Sequence, residues 1–215
     1  MTEIGRIRLG QFQTPEGRKG RPVKLDRFRF TSDNEQLIRA VANRYGGEAG
    51  QYTPQRSNRT EWEVVSATND IEVFIPPQNI EPWNEAWRPG TCVRRCDGER
   101  EFREAQTKDL EWQACPCNAG RVPAADLCKP TIRIQLMLPE VPPAIGTWRL
   151  ESHGTYAVSE LAMVAPIVAQ APTVIPASLR LREETRRAWN AEKSKYDTLT
   201  FYVPYLVLWS ATPQQ

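Results

Sequence analysis

The chain has 215 residues, 28 of them Lys or Arg and 26 Asp or Glu, so it carries a formal charge of +2. That is long enough to bury a substantial core, and too near neutrality for the whole-molecule field to favour tight phosphate binding. With 18 prolines and seven tryptophans, long helices are not expected. There is no run of 18 apolar residues and no charged-then-apolar leader, which argues against a membrane span or signal peptide and makes the cytoplasm the expected compartment.

Residues 1–24 hold Arg6, Arg8, Arg18, Lys19, Arg21 and Lys24 against Glu3 and Glu16. They read as a loosely held basic arm, either a solvated lead-in or a nucleic-acid contact. Leu25 to Phe30 alternates as a modest strand. Ser32-Asp-Asn-Glu35 has the form of a capping box opening a helix over 33–45. Leu37, Ile38, Val41, Ala42 and Tyr45 share one face of that helix, and Gly46-Gly47 stops it. Glu61 to Thr68 and Ile71 to Ile75 flank Asn69-Asp70, which predicts a hairpin. Trp83 and Trp87, four apart, fit one helical turn, serving as core anchors or as exposed contacts for a partner.

All five cysteines fall within 37 residues, as Cys92-x3-Cys96, Cys115-Pro-Cys117 and Cys128. In a chain without an export signal such thiols stay reduced, and an odd number cannot pair completely. A structural zinc takes four thiolate or imidazole ligands from closely spaced pairs. Cys96, Cys115, Cys117 and Cys128 are the first choice and Cys92 the spare, although the spacing departs from the two-residue knuckle. The alternative is that these are small buried hydrophobes. Arg94-Arg95 between cysteines adds a second functional reading, a zinc-containing protein that binds nucleic acid directly.

The strand over 131–139 places Ile132, Ile134, Leu136 and Leu138 on one face and Arg133, Gln135 and Met137 on the other. A turn at 141–146 returns a partner strand at 147–151. Helical spacing follows at 156–170, with Pro166 set to kink or end it. The charged run Leu179 to Arg187 and the aromatic run Leu199 to Trp209 form a terminal hairpin joined by a polar loop. The second run is apolar on both faces, so it is either central in a sheet or in contact with a partner. His153 is the sole histidine, and neither a two-imidazole metal site nor a phosphate-cradling glycine loop occurs. His153 reads as a structural hydrogen-bonding residue, and no enzyme is expected. The expected fold is α+β: a mainly antiparallel sheet with two helices and a cysteine-rich, zinc-stapled insertion. Its parts are an arm at 1–24, a core at 25–176 with the insertion at 92–130, and a hairpin extension at 177–215.

Several stretches follow one another in a distinctive order. They are Ile4-Gly-Arg-Ile-Arg8, Lys24-Leu-Asp-Arg-Phe-Arg-Phe-Thr31, Tyr45-Gly-Gly47 and Glu61-Trp-Glu-Val-Val65. After them come Cys92-x3-Cys96-Asp-Gly98, Cys128-Lys-Pro-Thr-Ile-Arg133, Leu138-Pro139 and Trp148-Arg-Leu-Glu-Ser-His-Gly154. In this order they resemble the recombination directionality factors that partner large serine integrases of phages and integrated elements. The likeness spans about 4–180 and is weaker in the last 35 residues. It implies a non-enzymatic adaptor, with DNA contact indirect or weak and no small-molecule substrate. Such a factor binds an integrase seated on attachment-site DNA and redirects it from attP × attB joining to attL × attR excision.

Overall fold

The computed structural model describes residues 1–13, 20–54, 59–104, 110–118, 120, 122–141, 146–190 and 194–209. Strands β1 (Glu3–Gln13) and β2 (Arg21–Ser32) lead into helix α1 (Glu35–Tyr45). Then come β3 (Gly50–Tyr52), β4 (Glu61–Val65), β5 (Asp70–Ile75), β6 (Ile80–Arg88) and β7 (Thr91–Cys96). They are followed by β8 (Arg100–Glu104), β9 (Leu110–Ala114), β10 (Lys129–Leu136) and β11 (Thr147–Ser152). Helices α2 (Thr155–Ala162) and α3 (Ala165–Gln170) precede β12 (Ile175–Asn190) and β13 (Lys195–Leu208). Among the described residues the strands make a ten-stranded sheet, ordered β3-β4-β2-β1-β11-β10-β6-β7-β8-β9, and a three-stranded sheet, β13-β12-β5. Neighbours run antiparallel except β1 and β11, which are parallel. The class is α+β, as the sequence implies, and no described helix is long and apolar enough to cross a membrane.

Period-two burial explains the large sheet. Ile132, Ile134 and Leu136 of β10 are fully buried, as are Leu150 of β11 and, nearly so, Ile7 of β1. The same strands turn Arg133, Gln135, Arg149, Arg6 and Arg8 to the opposite face. On the core side Trp148 meets Phe30 edge-on at 5.5 Å, and Phe30 stacks on Tyr45 at the end of α1 at 5.8 Å. These offset and T-shaped geometries are the favourable ones for rings. Gly5 makes this packing possible: a Cβ there would lie 2.4 Å from the Trp148 ring.

Residues 3–13 are not a loose arm. They form β1, inside the sheet between β2 and β11, with Ile7 1% exposed. Alternating Arg with Ile and Leu is the pattern of a strand with one wet face, and the arginine count masked it. Glu16, Arg18 and Lys19 lie outside the described residues. The helix starts at Glu35 rather than 33, and its cap is Asn34, whose Oδ1 accepts the Leu37 amide at 3.2 Å. Ser32 instead ends β2; its hydroxyl donates to the Ile4 carbonyl at 2.7 Å and accepts the Asn34 amide at 3.2 Å.

The hairpin expected over 61–75 does not form, although both strands exist. β4 pairs with β2 and β3, whereas β5 pairs with β12 in the other sheet. The linker is tied down instead of turning back: the Ser66 amide donates to the Phe28 carbonyl and its hydroxyl accepts the Phe28 amide, the Ala67 amide donates to the Tyr45 carbonyl, and the Asn69 carbonyl accepts from the Leu181 amide. Trp83 and Trp87 sit on a strand, not a helix, since a spacing of four also satisfies a period of two. Trp83 is half-buried beside Phe102 and Trp87 is 52% exposed. The helical stretch at 156–170 does break, into α2 and α3, with Pro166 in the first turn of α3, where its missing N–H costs no helix bond. The terminal hairpin forms as β12 and β13, paired from Ala177↔Leu208 to Asn190↔Lys195, with a much shorter connection than the loop expected at 189–198.

Candidate functional site

The cysteine region is not a separate lobe. Its strands β7, β8 and β9 continue the large sheet outward from β6. A tight turn brings the thiols together. Asp97 Oδ1 accepts the amides of Glu99 at 2.9 Å and Arg100 at 2.7 Å, and Gly98 takes φ +110. That turn leaves Cys96 buried at the end of β7. The Cys115 amide, just past β9, donates to the Glu99 carbonyl at 2.8 Å, and a second turn follows with Asn118 donating to the Cys115 carbonyl at 3.1 Å.

The sulfurs of Cys96, Cys115 and Cys128 all lie within 4.8 Å of one another. In a tetrahedral zinc site with Zn–S bonds of about 2.3 Å, sulfurs stand roughly 3.8 Å apart. A contraction of an ångström or less would close three corners, so this set could hold a metal ion. Cys117 stands beside it: its sulfur accepts the Cys128 amide at 3.3 Å and the Arg94 guanidinium at 3.4 Å. Cys92 lies apart, on β7 opposite Trp87, with its thiol donating to the Arg94 carbonyl at 3.3 Å. All five are free thiols.

Electrostatics distinguish Cys115, Cys117 and Cys128. Burial pushes Cys115 up to about 11 and raises Cys128 further in the same direction. Burial also works against a charged Cys117, but the Cys128 amide, the neighbouring thiols and Arg94 outweigh it and lower its pKa. Of these three, a thiolate is best tolerated at Cys117, next to the Arg94 guanidinium. Arg94 was not legible as part of this site. It reads as half of a basic pair offered to nucleic acid, yet it turns inward onto Cys117 and the Asp126 carbonyl at 3.1 Å. Arg95 turns to Glu85 at 2.8 Å. Both guanidiniums are thus engaged by partners within the fold, which weakens the local support for direct DNA binding.

His153 is tied by two contacts. Its Nδ1 is 3.0 Å from the Thr131 hydroxyl and its Nε2 is 3.2 Å from Glu151. The His153 contact, and behind it Arg133 and Arg149, hold the Glu151 carboxyl at about 2. The imidazole thus serves a surface ion-pair network beside β10 and β11.

The hairpin supplies the other candidate surface. β13 is the edge of its sheet, not a central strand. Pro204 suits that position because an edge can spare a donor. Val203 and Pro204 are buried, while Phe201, Tyr202, Tyr205 and Leu206 are half-buried. β5 pairs with β12 only as far as Arg180, so beyond it β12 and β13 continue as a two-stranded ribbon. Near the ribbon's tip Trp189 and Tyr196 pack ring to ring at 5.2 Å, each 58% exposed, and Leu199 is 48% exposed. Exposed aromatics on a two-stranded ribbon make its tip a candidate contact surface.

No solved structure matches the chain. A family model described as Gp3-like, recombination directionality factor-like, matches residues 4–209. The match takes in the hairpin as well as the core, further than the motif order alone suggested. The chain therefore belongs to the Gp3-like family of recombination directionality factor-like proteins.

Proposed function

We propose that the protein is a recombination directionality factor, a non-enzymatic adaptor that binds a large serine integrase on attachment-site DNA in the host cytoplasm. It switches that integrase from attP × attB integration to attL × attR excision. The observation that carries this reading is the family match over nearly the whole chain. The near-neutral charge agrees with it, since the main partner is then a protein and not free DNA. Physically the switch is a population shift: the factor binds the excision-competent arrangement of the integrase complex more tightly than the alternative.

Cys96, Cys115, Cys117 and Cys128 would hold one structural zinc, with Cys92 outside the set. The metal would staple the outer strands to the start of β10, and Arg94 would offset the negative charge of a four-thiolate centre. A gel-shift experiment tests the partner. Labelled attL or attR with integrase should shift further when the factor is added, whereas the factor with DNA alone should not shift. Binding to DNA alone with a steep salt dependence would point to a direct phosphate reader instead.

A further inference from the structure

A cavity of about 960 Å³ opens where β1 parts from the end of β11. The outer sheet face forms one side, and α2 with β13 forms the other. Most guanidiniums that line it are already neutralised. Arg133 is bound by Glu85 and Glu151, Arg149 by Glu3 at 3.2 Å, and Arg29 by Glu63. Two cations differ. The Arg8 guanidinium makes one hydrogen bond, to the Thr31 hydroxyl at 3.1 Å, and the Lys24 ammonium lies over the Phe201 ring at 5.4 Å. Among the described residues neither has a carboxylate partner. Opposite them the wall is aromatic, with Tyr156 and Phe201 in ring contact at 5.3 Å.

We infer that this cleft receives an extended acidic segment of a protein partner, its carboxylates on Arg8 and Lys24 and its apolar side chains against the Tyr156–Phe201 wall. Arg8 has most of its planar fork free for a carboxylate, and charge-assisted bonds of that kind are the strong ones. Lys24 would give up only a cation–π contact. Duplex DNA is the poorer fit. Its charge, about one per 1.7 Å of axis, calls for a row of unpaired cations along an open face. Among the described residues the unpaired cations number two, and they line a cleft instead of an open face. The inference rests on the proposed adaptor role only for the identity of the protein that carries the segment.

The test uses the full chain and a fluorescein-labelled decapeptide alternating Glu and Phe, followed by anisotropy. Lys24 is exposed near the start of β2, so Lys24→Glu leaves the core alone; Arg8→Glu is the second variant, with a melting curve to show that it folds. Each should weaken peptide binding by about tenfold or more, since a reversed charge both loses an attraction and adds a repulsion. A labelled 40-base-pair duplex should bind more weakly than the peptide and respond less to the variants. No peptide binding, or unchanged peptide affinity in folded Lys24→Glu, would overturn the inference. So would a duplex that binds more tightly than the peptide and is lost in the same variant, which would make the cleft a nucleic-acid site. Binding of purified integrase is measured in parallel. If the peptide binds at the cleft and integrase does not bind at all, the adaptor role fails while the cleft stands; if integrase binds wild type and Lys24→Glu alike, the cleft is not its docking site.

Discussion

Glu85 offers the sharpest test of how β6 is locked to its neighbours β10 and β7 in the sheet. Its side chain is fully buried on β6, where it accepts both arms of Arg133 at 2.8 and 2.7 Å, Arg95 Nε at 2.8 Å and the Trp87 indole at 3.0 Å. Replacing it with Ala leaves Arg133 facing a hole in a site where that side chain is 14% exposed. Breaking a buried pair costs about 3–5 kcal/mol. Two features place this one at the lower end. Arg133 keeps Glu151 at 3.3 Å, and Arg95, 36% exposed, can turn to water. About 3 kcal/mol in a chain of this size lowers Tm by roughly 6–12 °C, measurable by circular dichroism at pH 7. Acid supplies an independent check. Burial alone would raise the Glu85 pKa, but Arg133, Trp87 and Arg95 reverse that and hold it below the usual carboxylate range. A carboxylate depressed in the folded state stabilises above its unfolded pKa of about 4.3 and loses that contribution as pH falls through the folded value. Glu85→Gln should therefore melt with a flatter pH dependence below about pH 4.5 than wild type. Glu151, held at about 2, would supply the slope that remains. A Tm for Glu85→Ala within about 2 °C of wild type, or an unchanged acid slope in Glu85→Gln, would refute the reasoning.

Asn34→Ala removes the cap of α1 and should cost about 1 kcal/mol, read by urea denaturation with an unchanged m-value; no loss would return the capping role to Ser32. Cys96→Ser or Cys117→Ser should lower zinc content, by elemental analysis, together with Tm, because structural metal binding is coupled to folding. Wild-type protein free of metal at full stability would reject the zinc centre. Trp189→Ala and Tyr196→Ala, at the exposed ribbon tip, should weaken integrase binding while moving Tm by less than about 2 °C, since interface aromatics carry much of binding energy. Loss of stability without loss of binding would make the tip structural.

The elements that the sequence displayed best are those decided by local periodicity. β10 and β11 alternate over a single buried face, α1 keeps an apolar stripe closed by Gly46-Gly47, and the Pro166 break in the second helix follows from one missing N–H. Pairing was hidden because it depends on distant residues. β4 and β5 look like a hairpin until Ser66 and Ala67 bond to Phe28 and Tyr45, which hands the chain to the other sheet. β1 was masked by its arginines, whose partners Glu3 and Thr31 belong to the polar face of the same sheet. In the thiol cluster, the grouping of Cys96, Cys115 and Cys128 follows from their density along the chain. The inward turn of Arg94 does not, because it requires Cys117 and Asp126 to be folded beside it.

The most direct test of the adaptor role is recombination in vitro with the purified cognate integrase, the full-length factor and paired attachment-site substrates. The factor should raise attL × attR product from near background to a level comparable with integration, and should reduce attP × attB joining over the same concentration range. Excision that stays at background, together with integration that is undiminished at a molar excess of the factor, would contradict it.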